Sequence, residues 1–293
     1  MNKKLRMVFI LLLAAVFLGS GGLLIQQSGF YREARHSGEQ ARETAGLTQP
    51  RTEQLPEPEV PLAPEPEEPE VTVVPKPVEP EQPEQEPLEE AAQRLWQVDL
   101  AQLRQVNPDV LGWISIPGTQ LDYPILRGED NQYYLNHTWQ GKRNAAGSVF
   151  LECQSSPDLS DFNTIFYGHN MKNGSMFGSL RQYRTQSHYQ EHPYIYIVDD
   201  SGVRRYEIFA AFEAEVVGDT YRLDLNTPEK QQAFLDYSVR RCVLQTGLVP
   251  TVEDSIITLS TCTGNGYDHR WVVQGVLTGT FTAPEHSAPE AAH

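Results

Sequence analysis

The 293 residues carry 23 Lys and Arg against 39 Asp and Glu, a formal net charge of −16, and 39% of them are hydrophobic. That length suits one or two domains. No basic stripe with interleaved aromatics occurs, which argues against nucleic acid as a partner, and most of the acidic excess lies in a single stretch, so it says little about the partners of a folded part.

In chain order, residues 7–25 form a nearly uninterrupted apolar run without a charge, about as long as a helix crossing the hydrocarbon core of a bilayer. It reads as a transmembrane anchor. Lys3, Lys4 and Arg6 precede it, so residues 1–6 are expected in the cytoplasm and everything after residue 25 outside. A cleaved signal peptide is the competing reading; its apolar region is usually shorter, and no clean small-residue cleavage motif follows, although Gly19, Gly21 and Gly22 leave cleavage open. Residues 26–88 read as an extracellular linker. From Gln49 to Glu90 the chain is dominated by Pro and Glu, a composition that cannot bury enough apolar surface to offset the entropy of ordering. About forty such residues, stiffened by proline, could hold a domain on the order of 100 Å from a membrane.

The texture changes at residue 89, where a domain is expected to run to residue 281 before a polar, frayed tail over 282–293. Leu95, Leu100 and Leu103 recur at roughly helical spacing before Pro108, predicting one or two N-terminal helices. Eight short strand-like runs follow: LGWISIPG, LDYPIL, GSVFLE, NTIFYG, YIYIVDD, RRYEIFAAFEAEVV, SIITLSTC and HRWVVQGVLTGTF. The fold class is therefore mainly β, and close spacing of about eight strands points to a closed barrel. One later helix is expected over 227–243, between the sixth and seventh strands, with Thr227 as its cap, Pro228 in its first turn, and Phe234, Leu235, Val239 and Cys242 on its buried face.

Cys153, Cys242 and Cys262 make an odd number in a region expected outside the cell, so at least one thiol is left over. A Cys153–Cys242 bridge is open; two buried free thiols are the plainer reading. Cys262 closes the apolar run SIITLSTC ahead of a small, polar loop, which suits a nucleophile. A cysteine is mostly thiol at neutral pH and needs a base or cation beside it to react. His169 follows the run NTIFYG, at the end of a strand. Arg270 opens the strand after Cys262 and would lie near the thiol if those strands pair; its guanidinium could donate to an oxyanion. Spacing alone leaves His137, His188, His192 and His269 as rival bases, and a surface ion pair as the default for Arg270.

The block TLSTCTGNGYDHRWVVQGVL resembles the sortase signature TLxTC followed by an arginine strand, and YGHNMKNGSMFGSL resembles the histidine loop of class B sortases. The similarity extends from about Leu88 to Phe281. It implies a cysteine transpeptidase with Cys262 as nucleophile, His169 as its proton partner and Arg270 as the substrate and oxyanion clamp. Asn131, Leu135 and Ser260 resemble positions lining the family's sorting-signal groove. The implied partners are surface proteins with a C-terminal sorting signal and, as acceptor, a peptidoglycan or pilin amine; neither cofactor nor metal is implied. The N-terminal helices and the 227–243 helix favour class B over class A. Two rivals use the same residues differently. A cysteine peptidase would transfer the acyl group to water, though its cysteine normally opens a helix; a non-catalytic wall-binding module on a stalk would not need Cys262 at all.

Overall fold

The computed structural model describes residues 32–33, 35–47, 88–263 and 268–282. The apolar run 7–25, the segment 1–6, linker residues 48–87 and the tail from 283 lie outside the described residues, among which no helix is long and apolar enough to cross a membrane.

Eight strands form a closed barrel: β1 Val110–Ser115, β2 Asp122–Leu126, β3 Val149–Leu151, β4 Asn163–Tyr167, β5 Tyr194–Asp199, β6 Gly202–Glu215, β7 Ile256–Cys262 and β8 His269–Phe281. Apart from their ends they coincide with the eight runs expected from the sequence. Around the barrel the order is β1-β2-β3-β4-β7-β8-β6-β5. The pairs β2–β3 and β4–β7 are parallel and all others antiparallel.

Strand alternation sends side chains alternately into the barrel and onto its outer face. Ile114, Ile208, Ala211, Ile257, Leu259 and Val273 point into an inner cluster with Tyr123 and Phe166. Their strand neighbours are buried as well, beneath outer layers. Trp113, Val198 and Val203 meet an N-terminal helical layer, whereas Phe209, Phe212, Ile256, Val272 and Val276 meet the later helix. Burial on both faces explains why these strands read as continuous apolar runs.

The N-terminal layer differs from the expectation. Residues 35–47, assigned above to the disordered linker, form a helix, α1 (35–44), and a turn that pack on the domain. The cause is local. This stretch precedes the Pro/Glu-rich composition, and Ala41, Ala45 and Leu47 are small or apolar at helical spacing; they are buried against Ala92, Leu95 and Leu103. Arg42 pairs with Asp122, both nearly buried, and Asp122 also accepts from Trp113 Nε1 at 2.7 Å. Trp139 Nε1 donates to the Ser37 carbonyl at 2.9 Å, and the Asp99 amide to the Ala45 carbonyl at 3.0 Å. The domain thus begins before residue 89, and the segment that could act as a spacer is not the whole of 26–88.

Helices α2 Leu88–Leu95 and α3 Leu100–Val106 bury the three predicted leucines. Asp99 caps α3 by accepting from the Gln102 amide at 2.8 Å. The short α4 spans Gln186–Glu191 and was not anticipated. The helix between β6 and β7, α5, spans Pro228–Arg241 with Thr227 as its cap, and it buries Phe234 and Leu235 as expected. Val239 is exposed instead, and Ser238 is the third buried residue of the helix. All three cysteines are free thiols, so no bridge joins Cys153 to Cys242. Cys242 packs between the inner and α5 clusters, its Sγ accepting from the Ala211 and Leu244 amides.

Removing Arg42 leaves the Asp122 carboxylate buried with an unmet charge, a change that typically costs about 3 kcal/mol. Urea unfolding of Arg42→Ala is expected to show a loss of that size, and a chain starting at residue 88 a larger one. Unchanged midpoints in both would mean that residues 35–47 are not part of the folded unit.

Candidate active site

Because β4 and β7 run parallel, their C-terminal ends open at the same rim of the barrel. The register runs from Asn163↔Ile256 to Tyr167↔Ser260. Three buried polar side chains pin it: Thr258 donates to Asn163 Oδ1 at 2.7 Å, and Gln274 Nε2 on β8 donates to Thr258 at 3.0 Å. A one-residue slip would turn that hydrogen-bonded set to the wrong faces. Beyond the ladder, the Gly168 amide bonds to the Ser260 carbonyl and Thr261 Oγ1 donates to the Gly168 carbonyl at 2.7 Å. Asn170 Nδ2 then reaches the Cys262 carbonyl at 2.7 Å. His169, between Gly168 and Asn170, is thereby set beside the end of β7.

Cys262 is the last residue of β7 and the exposed one in an otherwise buried strand. On its other side β8 runs antiparallel, with Cys262 directly opposite Arg270. Opposed residues of an antiparallel pair project from the same face, so the guanidinium and the thiol share one side of the sheet. Arg270 Nη1 also donates to the His269 carbonyl at 3.0 Å. The structure therefore gathers His169, Cys262 and Arg270 at one rim.

The rival histidines are engaged elsewhere. His269 precedes Arg270 on β8 and faces the opposite way, opposite Glu215 of β6. His137 stacks on Tyr133, its ring bonding to the Tyr133 carbonyl. His188 and His192 pack together beside Tyr183, with His192 Nδ1 on the Pro117 carbonyl.

The His169 loop turns back tightly on itself. The Phe177 amide bonds to the His169 carbonyl at 3.0 Å, and Asn170 bridges Met176, which holds φ of 52°. Gly178 is required there, since a Cβ would come within 2.3 Å of the Met171 carbonyl. The Met176 amide donates to Tyr123 Oη, and Trp271 Nε1 to the Leu180 carbonyl at 2.8 Å, tying the base of the loop to β2 and β8.

The three groove candidates are used in different ways. Leu135 is exposed, and its carbonyl lies 2.6 Å from His169 Nε2. A carbonyl only accepts, so in this arrangement Nε2 carries the proton. Asn131 spends its amide on the protein: Nδ2 lies 2.7 Å from both Glu152 carboxylate oxygens and Oδ1 accepts from the Cys153 amide at 2.8 Å. Ser260 is buried, its hydroxyl 2.8 Å from Tyr221 Oη, so Tyr221 is the more accessible member of that pair. Tyr221 was not anticipated. It follows β6 in a short turn that no sequence motif marks, yet its phenol senses Arg270 and Cys262; burial pushes it up to about 12, against the opposing influence of the Ser260 hydrogen bond and Arg270.

Glu152 anchors this side of the site, also accepting from Tyr167 Oη at 2.9 Å. Burial by itself would raise its carboxyl; the bonds from Asn131, Tyr167 and the Gln154 amide together outweigh burial and hold it below the ordinary carboxylate value. A depressed carboxyl stabilises the fold above its unfolded pKa, and that contribution disappears as pH falls through the lower folded value.

Residues 114–278 match the family described as Sortase domain, a span that covers more than half of the chain and all three converging side chains. The chain belongs to the sortase family. It is 38% identical to Sortase B of Listeria monocytogenes over 185 residues, covering 61% of this chain and 74% of that protein, and 34% identical to Sortase B of Staphylococcus aureus over 160 residues, covering 55% and 66%. Among solved structures, a Staphylococcus aureus sortase B-substrate complex superposes with a TM-score of 0.58 at 32% identity, covering 61% of this chain and 84% of that one. Sortase membership makes the chain a cysteine transpeptidase, and its resemblances are to class B.

Glu152 gives the site a measurable acid limit. Urea midpoints of the wild type and Glu152→Gln, taken from about pH 6 down to about pH 3, should converge as the wild-type carboxylate gains its proton. A difference that stays constant over that range would contradict an ionised Glu152 in the folded protein.

Proposed function

We propose that Cys262 is the nucleophile of a membrane-anchored class B sortase, with His169 as its proton partner and Arg270 as the oxyanion and substrate clamp. The observation that carries this reading is the convergence at one barrel rim: Cys262 opposite Arg270 in register, and His169 fastened to the same strand end from the other side.

The reaction has two acyl transfers. In the first, the Cys262 sulfur attacks the carbonyl of a Thr in a C-terminal sorting signal; the C–S bond forms, the peptide C–N bond breaks, and His169 protonates the departing amine. Arg270 donates to the oxyanion as charge develops there. In the second, an amine from peptidoglycan or a pilin subunit attacks the thioacyl carbonyl: the C–N bond forms, the C–S bond breaks with Cys262 leaving as thiolate, and the proton lost by the amine passes to His169. With Nε2 turned to the Leu135 carbonyl, Nδ1 is the nitrogen left for this exchange. Asn131, through the loop it fixes, and Leu135 and Ser260, with Tyr221, border the groove for the signal. Residues 7–25 hold the enzyme in the membrane, with residues 1–6 in the cytoplasm and the barrel outside, where a surface protein and a wall acceptor can both reach it.

The test is transfer from peptides carrying LPxTG-like or NPxTN-like signals to an added amine, followed by mass spectrometry. Cys262→Ala should form no thioacyl adduct and no product, and His169→Ala very little. Arg270→Ala should lose roughly 10²–10³ in kcat, and Arg270→Lys should not restore it, because an ammonium cannot present the same paired donors. An adduct on Cys153 or Cys242 would sink the assignment. Product formed with water but never with amine would make the enzyme a peptidase.

A further inference from the structure

We propose that Asn170 is a positioning residue for the transfer reaction, its side-chain amide holding the Cys262 backbone so that nucleophile and His169 keep their relative placement. The inference rests on the roles just assigned to Cys262 and His169.

Both of those residues sit where the sheet stops fixing the chain. On β4 the ladder ends at Tyr167, two residues before His169, and on β7 it ends at Ser260, two before Cys262. Cys262 keeps its β8 partner Arg270, but that pairing does nothing to hold the β7 terminus against the histidine loop. Two side-chain bonds take over. Thr261 Oγ1 donates to the carbonyl before His169, and Asn170 Nδ2, on the residue after it, donates to the Cys262 carbonyl, each at 2.7 Å. One donor lies on β7 and the other in the loop after β4; the first bonds to the carbonyl just before His169 and the second to the carbonyl of Cys262. A relative slide of the two strand ends in either direction breaks both bonds.

The orientation of the Asn170 amide is set by chemistry. Its partner is a carbonyl oxygen, which can only accept, so Nδ2 must face Cys262. Asn170 Oδ1 is buried without a hydrogen-bond partner among the described residues, a cost borne by a group whose other end has a task. The base from which Asn170 reaches is itself fixed, through its bridge to Met176, the Met176 amide on Tyr123 Oη, and the Trp271 bond to Leu180. Asn170 therefore transmits the position of a rigid loop to the nucleophile. Asn170 lies in the histidine loop quoted above, but its place there does not reveal this role, which depends on a parallel register visible only in the fold.

The experiment measures amide transfer and the alkylation rate of Cys262 by a small neutral thiol reagent in the whole protein. Asn170→Ala, and Asn170→Asp, which keeps the side-chain size but removes the donor, should each lower kcat about tenfold or more with little change in KM for the signal peptide, since sub-ångström to ångström misplacement of reacting groups carries costs of that order. Melting temperatures should stay within a few degrees of wild type. The readout that a merely structural role would not reproduce is a double-mutant cycle. If Asn170 acts through the Cys262–His169 geometry, Asn170→Ala should slow alkylation in the wild-type background and add nothing in the His169→Ala background. Wild-type kcat in either Asn170 variant, or additive effects in the cycle, would overturn the proposal. Should Cys262→Ala retain transfer, the assignment of the nucleophile fails instead, an outcome that the same assay separates from the failure of Asn170.

Discussion

The parallel pairing of β4 with β7 is the constraint from which the site follows. Parallel neighbours deliver both C-terminal ends to the same edge, and an antiparallel β8 beside β7 must begin there. One ladder thus brings together a residue that follows β4, a residue that ends β7 and a residue near the start of β8, although 93 positions separate His169 from Cys262 in sequence. Parallel strands need a long crossover between them, which here contains β5, β6 and α5. The Asn163–Thr258–Gln274 set keeps the register single-valued inside a sheet whose apolar side chains would tolerate a slip of two.

Around that ladder, rigidity and exposure are divided unevenly. The strands are covered on both faces, inner cluster within and helices outside, so their ends are held by packing that has nothing to do with chemistry. His169, Cys262 and Arg270 lie at or just past the ends of the packed strands, at the open rim of the barrel. Buried polar anchors bridge the two regimes: Glu152 holds the loop of Asn131 and the Tyr167 hydroxyl, and Tyr221 braces Ser260 two residues before Cys262. Functional sites built in this way need their supporting contacts to be as well determined as the reacting atoms.

Much of this could be read from the sequence, for a definable reason. The eight strands were legible because each is a short apolar run bounded by turn residues, and α5 because Thr227 and Pro228 mark its start. Cys262, His169 and Arg270 stood out as chemistry at strand ends, and family resemblance gave them an order. What stayed hidden depends on contacts between distant segments. Tyr221 occupies an unremarked turn, Glu152 reads as an ordinary strand-end carboxylate, and helical spacing placed Val239 on the buried face of α5 where Ser238 is the residue buried. Residues 35–47 were absorbed into a linker because they adjoin it. A helix that short has little stability of its own and is ordered by the surface it covers.

That docked helix changes what the Pro/Glu stretch can do. Its departure point, Leu47, and its return, at α2, are joined at one face of the barrel, where Ala45 bonds to Asp99 and Leu47 shares a cluster with Ala92. With residues 35–47 and α2 both packed on the barrel, a tether N-terminal to the domain ends near residue 35 rather than at residue 88. Residues 48–87 begin and end at docked segments of the same domain, so their number does not set the distance from residue 35 to Cys262. On the anchor proposed above, that short N-terminal segment would set the reach of the barrel, and substrate and acceptor would meet it close to the lipid.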